Sequence, residues 1–419
     1  MVDLISKKIR GFRDILPEES KKFLFLEEKI HKICSLFNAN QIRLPALESL
    51  NLFKRSIGES SDIVKKEMYS FNDKNDETVC LIPEGTAPCM RLAFENNLIY
   101  DRGVKKNRFY YYTSMFRHER PQKGRYRQFT QFGVEFMGDD SIYGDIDLLL
   151  LSKMFFEQIK LDKLKLNINS LGLIEDRNKY SQDLQSYFNN YSNSFNDQQK
   201  NTIKTNPLRI LDSKDQKLIE IVKDAPNISD YINKVSSDKF NNIIQILEDL
   251  NIDYIVNNKL VRGLDYYNDL VFEWKTDQLG TQDAICAGGR YDSLSNIIGN
   301  QYVPAVGFAM GIDRVVDLIT YHDTDLVIGL SVISDSQSDI LKISSFIRSV
   351  GDKFRLIQMD ADKSLTKQIK TAVKSNCDIL VIVGSEEMSN NTLTIKDLKS
   401  DKDDRSIGLD DFSKFIEEY

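Results

Sequence analysis

Arginine residues at the ends of predicted strands and helices are the part of this sequence best suited to chemistry. The four are Arg117, Arg125, Arg262 and Arg314. An arginine side chain is planar and permanently charged, and it can bind phosphate through two hydrogen bonds at once. If the four converge, they would bind a polyphosphate and stabilise the charge that develops when it reacts. The sequence has neither a Gly-x-x-x-x-Gly-Lys-Ser/Thr loop nor a dinucleotide-binding glycine motif, so these arginines are its main candidates for phosphate binding.

A predicted strand over residues 126–137 presents two further polar side chains. Because side chains alternate along a strand, one face with core character carries Thr130, Phe132, Val134 and Phe136. Gln131 and Glu135 lie together on the opposite face, with Gly133 between them to leave room. The strand therefore presents an amide and a carboxylate side by side, opposite a buried face.

A strand-to-helix corner adds two more polar side chains. Residues 79–82 favour a short buried strand, and Pro83-Glu-Gly85 favours a turn. Thr86 is then predicted to cap a helix that tolerates Pro88 in its first turn. Glu84 and Thr86 are therefore expected at this corner.

The charge of the chain is unevenly distributed. It has 56 Lys and Arg residues and 63 Asp and Glu residues, a net charge of −7, which argues against a general nucleic-acid coat protein. Residues 102–127 nevertheless contain nine basic residues and one acid, Glu119, which gives this window a charge of +8. Aromatic and β-prone residues separate these charges, which favours a binding element over a plain solvated surface.

Composition excludes several classes of protein. With 41% hydrophobic residues, a chain of 419 residues can form about two to three globular domains. The five cysteines form no Cys-x-x-Cys pair and the three histidines show no His-x-x-x-His spacing. We therefore expect neither a disulfide framework nor a metal held by protein side chains. The chain has no apolar run of roughly 18 residues and no signal-peptide core, so we expect a cytoplasmic protein without a membrane span.

The elements that position these residues follow from periodicity. Apolar spacing predicts a helix over residues 20–38, and residues 108–116 and 126–137 predict an antiparallel hairpin with a long basic loop. Residues 171–250 are rich in Asn, Asp, Ser, Lys and Gln, and we interpret them as an inserted, mostly helical module or as more of the same domain. From about residue 325, alternating strands and helices predict a compact α/β domain. These patterns alone predict a multidomain, anion-binding α/β enzyme.

Three segments resemble the motifs of class II aminoacyl-tRNA synthetases. The helix and strand that end at Pro45 are similar to the first motif, a dimer-interface element, residues 116–129 to the second and residues 305–314 to the third. Two further segments resemble signatures of the bacterial-type histidine–tRNA ligases, namely Arg262-Gly-Leu-Asp-Tyr-Tyr267, which is strongly diagnostic, and Ala287-Gly-Gly-Arg-Tyr-Asp292. The resemblance covers nearly the whole chain.

This resemblance implies an α+β fold and a function. An antiparallel-sheet catalytic domain would occupy residues 1–324, with a helical insertion at about 171–250, and an α/β anticodon-binding domain would occupy residues 325–419. The implied reaction is the ATP-dependent ligation of L-histidine to its cognate tRNA through a histidyl-adenylate. The implied ligands are ATP with accompanying Mg²⁺, L-histidine and tRNA(His), and the implied assembly is a homodimer. Residues 360–368 depart from the family, which often has a glycine-rich stretch there.

The resemblance also implies roles for the arginines. Arg117 would bind the α-phosphate of ATP, whereas Arg125 and Arg314 would hold the γ-phosphate end. Arg262 would lie between the histidine carboxylate and the α-phosphate and act as an electrostatic catalyst. In the basic loop, Arg120 and Gln122 would contact the acceptor end of the tRNA.

The remaining implied roles concern the amino acid. The residues that would hold its α-amino and carboxylate groups are Glu84, Thr86 and Gln131. The imidazole nitrogens would bind Glu135 and Tyr267, with Tyr291 nearby. Glu84 and Thr86 are the residues predicted at the strand-to-helix corner. Gln131 and Glu135 are the pair predicted on one face of the strand over residues 126–137.

Three alternatives remain beside this interpretation. One is a synthetase-like regulatory subunit of histidine biosynthesis, which binds histidine without charging tRNA. Such subunits usually lack the C-terminal domain and the intact histidine signature, and this chain has both. A class II synthetase for another amino acid is disfavoured by the segment at residues 262–267. A plain RNA-binding or scaffold protein is disfavoured because it would not explain the polar face of the strand over residues 126–137.

Overall fold

The computed structural model describes residues 7–58, 61, 63–99, 106–122, 124–213, 215–264, 266–280, 284–321, 326–334, 336–351, 354–400 and 403–419. The chain divides into two compact units, the first ending at Thr320 and the second beginning at Tyr321. Among the described residues, no helix has both the length and the apolar character needed to cross a membrane.

The first unit combines helices with a large sheet. Its helices are α1 (Pro17–Leu36), α2 (Leu50–Ile57), α3 (Thr86–Glu95), α4 (Ile142–Gln158), α5 (Ile174–Asn189), α6 (Asp197–Thr205), α7 (Gln216–Lys223), α8 (Lys234–Asp249), α9 (Leu294–Gly299) and α10 (Ile312–Leu318). Its strands are β1 (Asn40–Gln41), β2 (Leu47–Ser49), β3 (Ser70–Asn72), β4 (Thr78–Leu81), β5 (Asn107–Phe116), β6 (Gln128–Met137), β7 (Lys165–Ser170), β8 (Tyr254–Val256), β9 (Asn268–Lys275), β10 (Ala284–Arg290) and β11 (Ala305–Gly311).

The large sheet of the first unit is mainly antiparallel. In the described residues its strand order is β1-β5-β6-β11-β10-β9-β7-β8, and only the outer pairs β1–β5 and β7–β8 are parallel. Strands β5 and β6 form the predicted hairpin, with Tyr111 opposite Gly133. Strand β11, which lies far away in sequence, pairs with β6 and sets Gly307 opposite Glu135.

One face of this sheet packs on helices. Phe132, Val134 and Phe136 of β6 are at most 1% exposed and belong to a cluster that includes Phe23 of α1 and Leu148 of α4. The alternation predicted for this strand is therefore confirmed, although Thr130 at its start is only half-buried. Burying several large apolar side chains stabilises such a layer by about 1.5–3 kcal/mol for each one. The opposite face of the strand remains available for polar groups.

The helices between β7 and β8 share the core of the first unit. Tyr180, Leu184 and Phe188 of α5 cluster with Tyr291 of the sheet region. Ile243 and Leu247 of α8 join the other cluster, which lies under the sheet. This segment is helical, as predicted, and it packs into the first unit.

Arg290 connects strand β10 of the sheet to helix α4 through a buried ion pair. Its side chain is 2% exposed, and its guanidinium group donates to both carboxylate oxygens of Asp145, at 3.1 and 2.8 Å. Its Nη1 also donates to Asp292 at 3.2 Å. Burial raises the pKa of Asp145 to about 6, although Arg290 acts in the opposite direction. This arginine of the 287–292 signature therefore stabilises the fold and does not line the cavity described below.

The second unit is a mixed α/β domain. Its strands are β12 (Leu326–Val332), β13 (Phe354–Gln358), β14 (Ile379–Val383), β15 (Thr392–Asp397) and β16 (Arg405–Gly408), and its helices are α11 (Gln337–Ser349), α12 (Leu365–Lys374), α13 (Ser385–Asn390) and α14 (Phe412–Glu418). The strand order is β13-β12-β14-β15-β16, in which β15 and β16 run antiparallel. The predicted alternation of strands and helices holds through β14. The sequence analysis did not anticipate the two antiparallel strands.

Candidate active site

The four candidate arginines meet in one cavity on the polar face of the large sheet. The cavity has a volume of about 210 Å³, and Arg117, Arg125, Arg262 and Arg314 all line it. They come from four separate places: the end of β5, the hairpin loop, the segment before β9, and α10. The convergence expected of a polyphosphate site is therefore present. Glu84, Thr86, Gln131 and Tyr267 line the same cavity.

Backbone carbonyl groups orient two of these arginines. The Nε of Arg117 donates to the carbonyl oxygen of Pro83 at 2.8 Å. The Nη1 of Arg314 donates to the carbonyl oxygen of Ala284 at 2.5 Å, and its Nε donates to that of Gly124 at 3.3 Å. These bonds fix the direction of the guanidinium groups before a ligand binds, which lowers the entropy cost of binding.

Glu119 is an acidic residue of the cavity that the sequence analysis did not select. Its Oε2 lies 3.0 Å from the Nε of Arg125, and its Oε1 lies 4.0 Å from the Nη1 of Arg117. The Oε2 atom is buried and has no well-aligned hydrogen bond. Its position as the single acid of the basic window was the available signal.

Glu84 organises the corner between β4 and α3. Its carboxylate accepts hydrogen bonds from the backbone N–H groups of Thr86 at 2.8 Å and Ala87 at 3.0 Å. The N-cap residue of α3 is Gly85, and the carboxylate of Glu84 before it satisfies the first N–H groups of the helix. The prediction that Thr86 caps the helix is wrong, because Thr86 is the first residue of α3. Burial raises the pKa of Glu84, although the two backbone bonds act in the opposite direction.

Gln131 presents a polar atom that lacks a partner. Its side chain is 6% exposed and lines the cavity. Within the part of the chain that the structure describes, its Oε1 has no hydrogen bond. A buried acceptor without a partner is costly, so this oxygen is prepared to accept a hydrogen bond from a ligand.

Glu135 lies one layer behind the cavity wall. It is fully buried and accepts hydrogen bonds from the hydroxyl groups of Thr86 at 2.8 Å, Tyr111 at 3.2 Å and Tyr291. Burial raises its pKa to about 8, although these hydrogen bonds favour the charged form. Glu135 and Tyr291 are therefore connected to the cavity through Thr86 and are not part of its open wall.

Glycines make this arrangement of Tyr111 and Glu135 possible. A Cβ atom on Gly133 would lie 2.1 Å from the ring of Tyr111, and one on Gly85 would lie 2.3 Å from it. A Cβ atom on Gly307 would lie 1.9 Å from the Oε2 of Glu135. The room that Gly133 was expected to leave is thus filled by Tyr111, a residue that the sequence analysis did not identify.

Three tyrosine rings cluster between the cavity and Glu135, and two of them, Tyr266 and Tyr267, line the cavity. The ring centroids of Tyr266 and Tyr267 are 4.9 Å apart, and those of Tyr266 and Tyr291 are 5.7 Å apart. Burial raises the pKa of Tyr267 to about 12, so its hydroxyl stays protonated at neutral pH and can donate. Aromatic walls with polar edges suit a flat ring that carries polar nitrogens.

Arg262 is held by an acidic residue of the sheet. Its Nη1 forms an ion pair with Glu273 of β9, and its guanidinium group lies 5.9 Å from the centre of the Tyr267 ring. Its Nε is buried without a hydrogen-bond partner in the described part of the chain. Glu273 did not emerge from the sequence analysis.

The residues predicted to contact tRNA lie outside the cavity. Arg120 and Gln122 are exposed in the hairpin loop. Of the nine basic residues in the charged window, Arg102, Lys105 and Lys123 lie outside the described residues. Gln122 exchanges two backbone hydrogen bonds with Arg125 of the cavity, at 3.2 and 2.9 Å, but neither Gln122 nor Arg120 lines the cavity.

The fold of the first unit is that of a class II aminoacyl-tRNA synthetase. A family model described as histidyl-tRNA synthetase matches residues 11–315, and one described as an anticodon binding domain matches residues 330–419. The chain belongs to the histidyl-tRNA synthetase family. The resemblance predicted from the sequence motifs is therefore confirmed, as is the α+β fold class.

Individual relatives match over nearly their full lengths. The histidine–tRNA ligase of Francisella philomiragia subsp. philomiragia is 41% identical over 98% of this chain and 98% of its own. That of Buchnera aphidicola subsp. Schizaphis graminum is 42% identical over 93% of this chain and 92% of its own. The crystal structure of the apo histidyl-tRNA synthetase of S. aureus has a TM-score of 0.80 and 28% identity, and the match covers 98% of this chain and 100% of that one.

Proposed function

We propose that this protein ligates L-histidine to tRNA(His) at the expense of ATP, through a histidyl-adenylate. The observation that carries the proposal is the meeting of Arg117, Arg125, Arg262 and Arg314 with the Glu84 corner in one cavity. The named relatives of this chain support the same reaction, since they are called histidine–tRNA ligases over matching lengths.

ATP would bind along the arginine wall of the cavity. In this proposal Arg117 binds the α-phosphate, while Arg125 and Arg314 hold the γ-phosphate end of a bent nucleotide. Phe129, whose ring centre lies 5.4 Å from the guanidinium group of Arg117, provides an apolar wall beside it. Arginine forks match the geometry of phosphate oxygens, and their charge opposes that of the triphosphate.

Histidine would bind where the Glu84 corner meets the tyrosine walls. Glu84, Thr86 and Gln131 would hold its α-amino and carboxylate groups, and the Oε1 of Gln131 accepts no hydrogen bond from any described residue. The imidazole ring would extend toward Glu135, with Tyr267 and Tyr291 at its edges. A site that pairs both ring nitrogens rejects analogues without them by roughly 10⁴-fold or more, because its own buried polar groups are otherwise left unpaired.

The reaction then needs positioning and charge stabilisation more than a protein nucleophile. The histidine carboxylate attacks the α-phosphate, a new C–O–P linkage forms, and pyrophosphate leaves. Arg262 would stabilise the negative charge that develops on the α-phosphate oxygens during this exchange. In the second step the terminal adenosine hydroxyl of the tRNA attacks the activated carbonyl, and AMP leaves.

Mg²⁺ would accompany ATP in this site. Hard oxygen ligands suit Mg²⁺. The triphosphate would supply most of them, since the Oε2 of Glu119 already pairs with the Nε of Arg125 at 3.0 Å. When bound, the ion would neutralise part of the phosphate charge. Glu119 also keeps Arg125 close to the place where the phosphates would lie.

The two units would divide the work on tRNA. We assign catalysis to residues 1–324, with a helical insertion at about 171–250, and anticodon binding to residues 325–419. Arg120 and Gln122, exposed beside the cavity-lining residues of the same loop, would contact the acceptor end of the tRNA. We further propose a homodimer acting in the cytoplasm, as the family resemblance implies.

The regulatory-subunit alternative is less well supported. A protein that only senses histidine has no use for a triphosphate-binding arginine set, and this chain keeps all four arginines in its cavity. The match to an anticodon binding domain over residues 330–419 also favours a ligase.

Amino-acid-dependent exchange of pyrophosphate into ATP tests the proposal directly. We expect exchange with L-histidine alone when each of the twenty amino acids is supplied separately, because only an imidazole offers two ring nitrogens to Glu135 and Tyr267. The matched control omits the amino acid. Exchange with a different amino acid, or none with histidine, would contradict the proposed function.

A further inference from the structure

Glu273 joins two cations beneath the cavity. Its Oε1 forms the ion pair with the Nη1 of Arg262, and its Oε2 lies 3.1 Å from the Nζ of Lys275. The side chains of Glu273 and Arg262 are 11% and 20% exposed, so water screens this pair only weakly. The carboxylate therefore has a strong influence on where the guanidinium group of Arg262 lies.

The sheet gives Glu273 a fixed position. Leu270, Phe272 and Trp274 of β9 point into the core, so Glu273 points to the opposite face. Glu273 lies opposite Ala287 of β10, and Ala287 lines the cavity. A side chain on a central strand between two paired neighbours is held more rigidly than one on a loop.

Arg262 needs such an anchor because its own segment is irregular. It lies between β8 and β9, where residues 257–264 form neither helix nor strand, and next to Gly263, where a Cβ atom would meet nothing within 4 Å. The ion pair with Glu273 engages Nη1. The Nε of Arg262 is buried and has no hydrogen-bond partner in the described residues, so it can donate to a ligand in the cavity.

Lys275 gives the group formed by Arg262, Glu273 and Lys275 a net positive charge. Arg262 and Glu273 alone would be a neutral pair with little attraction for phosphate. With Lys275 sharing the carboxylate, the three side chains carry a net charge of +1. Water screens partly buried charges less than exposed ones, so the added charge should strengthen the attraction for a phosphate bound in the cavity.

We propose that Glu273 is a positioning residue for the adenylation step, and that Lys275 preserves the charge of Arg262. This proposal rests on the proposed function, since it assumes that Arg262 acts on the α-phosphate. Glu273 holds one guanidinium nitrogen so that the others face the α-phosphate and the histidine carboxylate. It touches neither substrate and acts only through Arg262.

The test is the variant Glu273→Gln, assayed by histidine-dependent pyrophosphate exchange. We expect kcat to fall by about 10²-fold, because a misplacement of roughly 1 Å costs this much, while the KM values for ATP and histidine change only a few-fold. The matched control is Asp277→Asn, which removes an exposed carboxylate that pairs with Lys165 at 3.1 Å. This control should keep the wild-type rate.

A double variant separates positioning from general structural damage. Because Glu273 acts through Arg262, adding Glu273→Gln to Arg262→His should lower the rate no further. Multiplied losses in the double variant, or an unchanged kcat in Glu273→Gln, would overturn the proposal. If Arg262→His alone keeps the wild-type rate, the role of Arg262 in the proposed function fails instead, and the two failures are thus distinguishable.

A second variant keeps the test decisive if Glu273→Gln does not fold. Lys275→Met leaves the Arg262–Glu273 pair in place and removes only the balancing charge. We expect a folded protein, checked by thermal unfolding, with a several-fold lower kcat for exchange. A wild-type kcat in folded Lys275→Met would overturn the part of the proposal that concerns charge.

Discussion

Replacing Arg262 by histidine should lower the kcat of histidine-dependent pyrophosphate exchange by about 10²–10³-fold, the usual cost of losing one group that stabilises transition-state charge. Arg262 lines the cavity together with Arg117 and Arg314, so its guanidinium group can reach a phosphate held there. An imidazole is shorter and, at pH 8, mostly uncharged, so it cannot replace the arginine fork. Histidine binding should stay within a few-fold of wild type, because Glu84 and Gln131 are unchanged.

The measurement separates chemistry from binding. Single-turnover formation of the adenylate reports the chemical step, and isothermal titration with L-histidine reports ground-state affinity. Arg405→His, an exposed arginine on β16 of the second unit, is the matched control and should keep the wild-type rate. An unchanged adenylation rate in Arg262→His would remove this residue from the mechanism.

Replacing Glu135 by alanine should lower kcat/KM for histidine by about 10⁴-fold, with a much smaller effect on the KM for ATP. The change removes the acceptor proposed for an imidazole nitrogen. It also leaves the hydroxyl groups of Thr86, Tyr111 and Tyr291 without the partner that they share. Each buried hydroxyl left unpaired costs about 1–3 kcal/mol, so the walls of the imidazole site should also lose their order.

A steric variant tests the position of Glu135 while leaving its carboxylate group chemically unchanged. Gly307→Ala would place a Cβ atom 1.9 Å from the Oε2 of Glu135, so it should displace this side chain and also raise the KM for histidine. Glu157→Ala, which removes a largely exposed glutamate of α4, is the control for the loss of a carboxylate. Wild-type kcat/KM for histidine in folded Glu135→Ala would show that the imidazole binds elsewhere.

Local patterns in the sequence predicted the local parts of the site. The alternation along β6 set Gln131 and Glu135 on one face, because side-chain direction in a strand depends only on position. The same reasoning could not identify Tyr111, since its role depends on space left by Gly85 and Gly133. Gly133 pairs with it across a hairpin, but Gly85 reaches it only through the tertiary fold.

Long-range strand order explains what local patterns could not provide. Strand β11 pairs with β6 although about 170 residues separate Gly307 from Glu135, and no local rule specifies this neighbour. The convergence of Arg117 with Arg262 depends on the same strand order. The family resemblance supplied this information, whereas Glu273 became visible only when β9 was placed beside the cavity.

In the second unit, strands β15 and β16 were not predicted for a similar reason. Residues 392–408 carry many charged side chains, and β16 is an edge strand whose side chains are exposed or half-buried. Edge strands of this kind lack the apolar run by which β14 is recognised. Their position is decided by pairing with β14 and β15.

A crystal structure of the protein with a non-reactive analogue of histidyl-adenylate tests the central claim most directly. The account predicts the analogue in the cavity, its imidazole directed at Glu135, and the guanidinium group of Arg262 within hydrogen-bonding distance, about 3 Å, of the phosphate oxygens. The Nη1 of Arg262 should remain on Glu273. An analogue bound outside this cavity, or a phosphate with no arginine near it, would contradict the account.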